Sequence, residues 1–261
     1  MKAWKIFLSV GVSVLVIGII IFLVGLGLNG WKFETEYEKK TFIAENNNSA
    51  LDLSISAGEI KVSFYGGETV TVEYPDSARY GYDVSEHNGC VTVAPRSSFG
   101  LWFGWRNIPA VNVYIPVDTV MDLKLDLSAG KATLPNGKFN DVELEMSAGT
   151  VNGGSISCRK FSGNLSAGSA HFGGLACDVT FRLDMSAGSA TFDNLRADEI
   201  DVDLSAGTVG LTVIGAEKSD YTIHVDKSAG SCNLQNQQGL ADWRKINVDL
   251  SAGTVNVGFG N

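Results

Sequence analysis

Apolar and polar residues alternate along most of the chain after residue 121, which is the pattern of a β-strand with one buried face. Apolar residues stand one, three and five positions before the serine of a repeated Ser-Ala-Gly tripeptide, as at Leu127, Leu125 and Leu123. The apolar face resumes four and six positions after the serine, as at Val255 and Val257. The pattern therefore predicts pairs of strands joined at a Ser-Ala-Gly corner.

The tripeptide occurs eight times, beginning at Ser56, Ser128, Ser147, Ser166, Ser186, Ser205, Ser228 and Ser251. From Ser128 onward, successive motifs are 19, 19, 20, 19, 23 and 23 residues apart, and a fixed period of this length is typical of a solenoid. We expect one coil per period, stacked in chain order so that residues 19 or 20 apart pair. The predicted fold is all-β, a single-stranded β-solenoid resembling a parallel β-helix.

The geometry of the corner predicts where each of its three residues should lie. We expect the serine to face outward, the alanine to lie at an inside corner, and the glycine to adopt a positive φ, which residues with a Cβ resist. The apolar residue before the serine is replaced once, by Lys227. We interpret Lys227 as an amine that reaches an opening or an end of the core.

The repeat is weak between residues 31 and 120, although strand-like runs such as "EIKVSFY" and "AVNVYIP" persist there. We predict a membrane-proximal β cap of irregular coils and hairpins over residues 31–120. The regular Ser-Ala-Gly solenoid is predicted over residues 121–261.

No charged residue occurs from Ile6 to Leu28, and a helix of this length, about 34 Å, crosses the hydrocarbon core of a bilayer. We predict an uncleaved transmembrane helix over residues 6–28. Lys2 and Lys5 precede it without an acidic neighbour, so the positive-inside rule places residues 1–5 in the cytoplasm. The rest of the chain is then extracytoplasmic.

The net charge restricts the partners. The chain has 20 Lys and Arg residues, of which Lys2 and Lys5 precede the span, and 29 Asp and Glu residues, which leaves about −11 on the exported part. This balance argues against a nucleic-acid partner and favours cationic partners.

Acidic residues recur two positions before the serine, on the outward face. They are Asp126, Glu145, Asp184, Asp203, Asp226 and Asp249, with Asn164 at the equivalent position of one further coil. Stacked coils place these carboxylates in one column, and bases such as Lys124 and Arg182 relieve their repulsion. The column is either a strip that binds cations or cationic peptides, or a solvated acidic face that keeps the protein soluble, which is the preferred interpretation.

Cys158 and Cys177 each lie eleven residues after their serine, so adjacent coils make them neighbours. They form either a disulfide or a buried thiol pair. The sequence lacks C-x-x-C, G-x-S-x-G and H-E-x-x-H motifs. It therefore predicts no catalytic residue, no metal site beyond the acidic column and no cofactor.

Large aromatic residues are concentrated in the segment "RSSFGLWFGWRNIPA", residues 96–110. They are Phe99, Trp102, Phe103 and Trp105. We interpret them as a plug over an open end of the core or, alternatively, as an interaction patch beside the lipid headgroups.

One apolar N-terminal segment, an early "SAGEIKV" and a series of "LSAGTV" repeats together resemble the bacterial "putative adhesin" family of unknown function. Its members include the membrane-anchored protein of the Lia cell-envelope stress operon. The likeness covers roughly residues 42–261. It implies an extracytoplasmic β-solenoid, single-pass on a bacterial cell membrane, and it carries over no catalytic residues.

The leading functional hypothesis is a non-enzymatic scaffold or binding module in envelope stress response or adhesion, with envelope proteins, cell-wall glycan or cationic peptides as partners. A polysaccharide-acting enzyme on a β-helix is the alternative. A third hypothesis is a surface array like that of ice-binding solenoids, using a hydroxyl column that Lys131 interrupts. The column consists of Thr150, Ser169, Ser189, Thr208 and Thr254.

Overall fold

The computed structural model describes residues 36–77, 80–96 and 108–260, and these residues form an almost continuous series of β-strands. The all-β prediction is confirmed for this part of the chain. The predicted transmembrane helix at residues 6–28 lies outside these ranges. Within them, no helix is both long and apolar enough to cross a membrane.

The described ranges contain twenty strands and one 3-10 turn. The strands are β1 (Glu38–Ile43), β2 (Ala50–Ile55), β3 (Glu59–Tyr65), β4 (Thr71–Asp76), β5 (Gly81–His87), β6 (Cys90–Arg96), β7 (Val111–Pro116), β8 (Asp122–Leu127), β9 (Lys131–Leu134), β10 (Gly137–Lys138), β11 (Asp141–Met146), β12 (Thr150–Leu165), β13 (Ser169–Met185), β14 (Ser189–Arg196), β15 (Glu199–Leu204), β16 (Thr208–Ile214), β17 (Thr222–Lys227), β18 (Ser231–Cys232), β19 (Lys245–Leu250) and β20 (Thr254–Gly260), and the 3-10 turn is Lys218–Asp220.

The alternation seen in the sequence gives each strand a buried and an outward face. In β11, Val142, Leu144 and Met146 are buried, whereas Glu143 and Glu145 between them are only half-buried. Burial of such apolar side chains, at about 25 cal/mol per Å² of apolar surface removed from water, is the main favourable contribution to folding. The core therefore lies inside the coils.

The middle coils stack in chain order, as the repeat period predicts. Before the corner, β8, β11, β12, β13 and β15 form a parallel ladder, in which Val142 pairs with Leu123 on one side and Phe161 on the other. After the corner, β9, β12, β13, β14 and β16 form a second parallel ladder. A third side pairs Ile156 with Leu175 and Leu175 with Leu195.

The stacking order changes at the C-terminal end. Strand β19 pairs with β15 on one side and with β17 on the other, and β20 likewise lies between β16 and β18. The last coil of the sequence is therefore the second from the end in space. The prediction that all coils stack in chain order is wrong here, because the identical corners accept any coil as a neighbour.

This stacking order explains why a lysine can occupy position 227, which is apolar in the other coils. Its strand, β17, belongs to the terminal coil of the stack and pairs with β19 alone among the named strands. A core position on which no further coil packs can hold an exposed lysine, since the amine stays in water there. The interpretation of Lys227 as marking an end of the core agrees with this placement.

At the N-terminal end, too, one coil lies out of chain order between two later ones. Strand β2 lies between β6 and β8, and β3 lies between β7 and β9, so the coil around Ser56 is a regular step of the stack. Strand β5 covers β6 in an antiparallel pair, and β4 pairs antiparallel with both β7 and β1. The segment assigned to the cap thus contains one regular coil together with hairpin-like edges.

The Ser-Ala-Gly corners form a ladder of glycines. In spatial order they are Gly58, Gly130, Gly149, Gly168, Gly188, Gly207, Gly253 and Gly230. Their φ angles lie between 90° and 123°, as predicted. A Cβ on each glycine from Gly130 onward would lie only 2.1 to 2.4 Å from the carbonyl oxygen of a neighbouring corner glycine. Glycine is therefore required both for the positive φ and for the close approach of adjacent corners.

The predicted exposure is observed for the serine of the corner, but the predicted burial of the alanine is not. Seven of the serines are exposed and Ser56 is half-buried, in line with the outward placement. The inside-corner prediction for alanine is wrong, because Ala57 is buried but the other seven are half-buried or exposed. At these seven corners the turn carries the alanine away from the core.

Candidate functional site

The acidic residues predicted to share a column do lie in register along one outward face. The register runs Asp126, Glu145, Asn164, Asp184, Asp203, Asp249 and Asp226, with Asp249 ahead of Asp226 because of the inserted last coil. Adjacent strands of a sheet lie about 4.8 Å apart, so the carboxylates repel one another unless neighbouring groups compensate.

Basic side chains compensate the charge in the first half of the column. The amine of Lys124 lies 3.3 Å from Glu145 and 3.4 Å from Glu143, and its hydrogen bond to Glu145 raises the pKa of Lys124. Arg182 lies 3.1 Å from Asp184, whose hydrogen bond likewise raises the pKa of Arg182. Both bases are those that the sequence indicated.

The second half of the column is more open. Asp203, Asp249 and Asp226 are exposed to solvent in three consecutive coils. In the part of the chain that the structure describes, no group of three or more His, Cys, Asp or Glu side chains is placed to hold a metal ion. The column is a negatively charged surface, and its role in binding cations remains a prediction.

The hydroxyl column also lies in register. Thr150, Ser169, Ser189, Thr208 and Thr254 follow one another from coil to coil after the corner. The hydroxyl of Ser169 donates a 3.3 Å hydrogen bond to Thr150. Lys131 adjoins Thr150 at one end, as expected from the sequence, and Ser231 extends the column beyond Thr254.

The structure places Cys158 opposite Cys177 in the paired strands β12 and β13. Both are buried, both are free thiols, and their sulfur atoms lie 3.8 Å apart. The hydrogen bond with Cys158, together with burial, raises the pKa of Cys177. Coil stacking therefore brings the two thiols together inside the core, as the repeat period predicts.

Near the N-terminal end of the stack, the carboxylate of Glu86 accepts three hydrogen bonds from neighbouring residues. Glu86 accepts hydrogen bonds from the backbone N–H of Glu45 at 2.8 Å and from the side-chain amides of Asn46 at 3.1 Å and Asn48 at 2.9 Å. The bond from Glu45, followed by those from the amides, lowers the pKa of Glu86. Glu86 fixes the polar turn at residues 44–50 onto the end of the stack.

Two large apolar side chains are exposed in the loop that connects the terminal coil to the last strand pair. Leu240 is 82% exposed and Trp243 is 67% exposed. The loop follows β18 and belongs to one of the two long 23-residue periods. The alternation pattern does not mark this pair as a candidate site, although the longer period indicates that a loop leaves the coil there.

Backbone hydrogen bonds hold this loop firmly. The N–H groups of Leu240 and Ala241 donate to Ser219 at 2.9 Å and Asp220 at 3.2 Å, and that of Gly239 donates to the Thr222 hydroxyl at 3.1 Å. A Cβ at Gly239 would lie only 2.3 Å from a backbone atom of Tyr221, so the loop passes directly over the coil.

Arg244 closes the same loop. Its guanidinium lies 3.1 Å from Asp198 and 3.5 Å from Asp220, and 5.7 Å from the centre of the Tyr221 ring, which is within cation–π range. Because the backbone is anchored at both ends, Leu240 and Trp243 are presented to solvent from a fixed support. We call Leu240 and Trp243 the end-loop pair.

The aromatic segment with Phe99, Trp102, Phe103 and Trp105 lies outside the described residues. Its interpretation as a plug or as an interaction patch therefore remains a prediction.

A family model described as Toastrack DUF4097 matches residues 45–259. The chain belongs to this family. The match spans the described coils from the polar turn to the last strand. Comparison with curated proteins gives no match.

Three solved structures resemble this Toastrack chain at low sequence identity. A "putative cell adhesion protein" from Clostridium sporogenes is 13% identical, covers 86% of this chain and 100% of its own, and has a TM-score of 0.38. A "putative adhesin" from Bacteroides fragilis is 12% identical, with 86% and 98% coverage and a TM-score of 0.46. A "putative adhesin" from Parabacteroides distasonis is 11% identical, with 86% and 98% coverage and a TM-score of 0.31.

Proposed function

We propose that this Toastrack chain is a non-enzymatic scaffold or binding module, anchored in a bacterial cell membrane by residues 6–28, with its coils outside the cell. We place its role in envelope stress response or adhesion. The uncharged segment from Ile6 to Leu28, with Lys2 and Lys5 before it, supports the anchor and its orientation.

The end-loop pair is the observation that carries the binding role. Exposed tryptophan and leucine side chains on a mobile loop are unremarkable, but here hydrogen bonds fix the backbone beneath Leu240 and Trp243. Tryptophan is enriched among the residues that dominate binding energy at interfaces. The loop also follows the coil at the end of the stack, where a partner meets no further coil.

Site-specific photo-crosslinking tests this proposal in the intact chain in its native membrane. A photoreactive residue at Trp243 should capture an envelope component, whereas the same residue at Thr212, an exposed position on strand β16, should capture far less. Replacing Leu240 by Ala should abolish capture from position 243 without lowering the melting temperature. Equal capture at positions 212 and 243 would contradict a binding role for the end loop.

The same preparation tests the enzymatic alternative and the placement. Incubation with purified cell-wall glycan should release no soluble fragments, and fragment release that depends on the chain would overturn the non-enzymatic proposal. External protease added to intact cells or spheroplasts should cleave the coils and leave residues 1–5 protected. Protection of the coils instead would contradict the extracytoplasmic placement.

A second candidate function is the binding of cationic peptides along the acidic column. The exposure of Asp203, Asp249 and Asp226 in consecutive coils favours it. Binding of a fluorescent oligolysine should weaken steeply with added salt, and replacing these three aspartates by asparagine should reduce it. The charge-matched control replaces Asp52, Asp83 and Asp118, which lie outside this part of the column. An equal loss in both variants would indicate net charge alone.

A further inference from the structure

Cys158 and Cys177 are a matched pair of thiols inside the core, and the proposed function gives them no role. They are 3% and 4% exposed and lie directly opposite each other in adjacent coils. The other cysteines differ from them, because Cys90 and Cys232 are both half-buried and lie in strands near opposite ends of the stack. The inner pair is therefore the one that coil stacking brings together.

The geometry around the pair allows the sulfur atoms to meet. Cα atoms of directly paired residues on neighbouring strands, about 4.8 Å apart, fall within the range that disulfides span. The sulfurs must close from 3.8 Å to about 2.0 Å, which requires a change of side-chain rotamer or a small backbone shift.

An irregularity next to the pair supplies room for such a shift. The register between β12 and β13 changes immediately after Cys158 and Cys177, where β13 has one extra residue. Val179, within this bulge, is 42% exposed. A bulge interrupts the ladder locally, so the backbone beside the cysteines is less constrained than in the regular coils.

We propose that Cys158 and Cys177 form a disulfide that ties two successive middle coils together, and that the bond forms while the chain folds rather than afterwards. The thiolate of one cysteine attacks a small-molecule disulfide and releases one thiol, and the second cysteine then attacks the mixed disulfide and releases another. Two electrons and two protons pass to the oxidant, which leaves as two thiols.

The order of events follows from burial. In the folded protein both sulfur atoms are buried and screened from a small-molecule disulfide in solution. Thiolate is the reactive form, so the raised pKa of Cys177 also makes this cysteine a poor nucleophile. A small disulfide therefore reaches these cysteines readily only before the two coils close. Once formed, the bond is equally screened from reductants, so oxidation during folding fixes the two coils for the lifetime of the folded state.

Refolding the full chain under defined redox conditions tests the inference. The reduced chain in mild detergent is unfolded in urea and refolded with oxidised and reduced glutathione, and then alkylated under denaturing conditions. Alkylation should label Cys90 and Cys232 only, and proteolysis should give one crosslinked peptide joining Cys158 to Cys177, about 2 Da lighter than its two reduced parts. The melting temperature should exceed that of the chain refolded with reductant by roughly 5–10 °C.

Two further measurements exclude trivial outcomes. The variant Cys90→Ser with Cys232→Ser should keep the whole gain in melting temperature, whereas Cys158→Ala with Cys177→Ala should show none. Oxidised glutathione added to the already folded, reduced chain should produce the crosslink at least tenfold more slowly than oxidative refolding does. Four alkylated cysteines after oxidative refolding would overturn the disulfide, and equally fast oxidation of the folded chain would overturn the folding-coupled order.

The same alkylation on acid-quenched cells asks whether the bond forms in vivo. This arm rests on the proposed extracytoplasmic placement, whereas the refolding experiment does not. A bond that forms on refolding but is absent in cells would contradict that placement and leave the refolding result intact.

Discussion

The side-chain amide of Asn247 donates a 2.7 Å hydrogen bond to the carboxylate of Asp201, which lies 46 residues earlier in the chain. The backbone agrees, since Ser251 donates to Leu204 and Thr254 donates to Gly207, both at 2.9 Å. The last coil of the sequence, formed by β19 and β20, therefore lies between the coil of β15 and β16 and the terminal coil of β17 and β18. The terminal coil, residues 222–234, depends for its strand pairing on residues that are synthesised after it.

Removing residues 245–261 should therefore unfold two coils rather than one. Strands β17 and β18 pair only with β19 and β20 among the named strands, so the terminal coil loses its support when the last coil is deleted. Hydrogen–deuterium exchange should show residues 222–234 exchanging at the rate of an unfolded chain, while β13 stays protected. Continued protection of β17 in the truncated chain would contradict the inserted order.

The repeat period could be read from the sequence, but the order of the outer coils could not. A period of 19 or 20 residues follows from the spacing of the corners, and it correctly pairs the middle coils. Every coil presents the same corner and the same alternation, so these local features fit any neighbour equally well. Lys227 was the one local signal of an end, because a charged residue at a core position is tolerated only where packing stops.

The corner glycines should be far less tolerant of substitution than other glycines of the strands. Gly188 has a φ of 106°, and a Cβ there would lie 2.1 Å from the carbonyl oxygen of Gly168. Gly188→Ala should lower the free energy of unfolding by about 2–4 kcal/mol, since strain and a backbone clash add. The matched control is Gly173→Ala, where no atom lies within 4 Å of the added Cβ. Urea unfolding of both variants measures the difference, and similar losses would refute the glycine ladder.

Four phenylalanines at the centre of the middle coils should form one energetic unit. Phe192 lies 4.8 Å from Phe181, 5.2 Å from Phe172 and 5.7 Å from Phe161 between ring centres, and it is 1% exposed. Phe192→Ala should cost about 3–5 kcal/mol of stability because it leaves a cavity. Val179→Ala, at a 42% exposed position, should cost less than about 1 kcal/mol. A small loss for Phe192→Ala would mean that the core collapses around the missing ring.

The candidate sites were predictable to different degrees. The acidic column and the cysteine pair follow from the period alone, because each member stands at a fixed offset from its serine. The end-loop pair does not follow from the period, since it lies in an inserted loop whose contacts with Ser219, Asp220 and Thr222 arise only when the coils fold. Exposure of Leu240 and Trp243 is a property of that folded arrangement and has no signature in the alternation.

Asp76 should make stability depend on pH in the acidic range. It is 8% exposed, contacts the amine of Lys40, and accepts a 3.0 Å hydrogen bond from Arg96. The hydrogen bond from Lys40 is the largest cause that lowers the pKa of Asp76, and Arg96 adds to it. An unfolded aspartate has a pKa of about 3.9, so on acidification the unfolded chain binds this proton first. The stabilisation is therefore complete above about pH 5, and it is lost as the pH falls through the lowered pKa of the folded state.

Asp76→Asn should lower the free energy of unfolding at pH 7 by about 1–3 kcal/mol, because two cationic side chains lose a charged acceptor. The difference from the wild type should shrink as urea unfolding is repeated at lower pH, since protonation removes the same charge from the wild-type chain. Asp83→Asn is the matched control, because Asp83 also pairs with Arg96, at 3.0 Å, but its side chain is 68% exposed. That variant should lose less than about 1 kcal/mol. A difference between wild type and Asp76→Asn that stays constant from pH 7 to low pH would show that Asp76 stabilises the fold through its shape rather than through its charge.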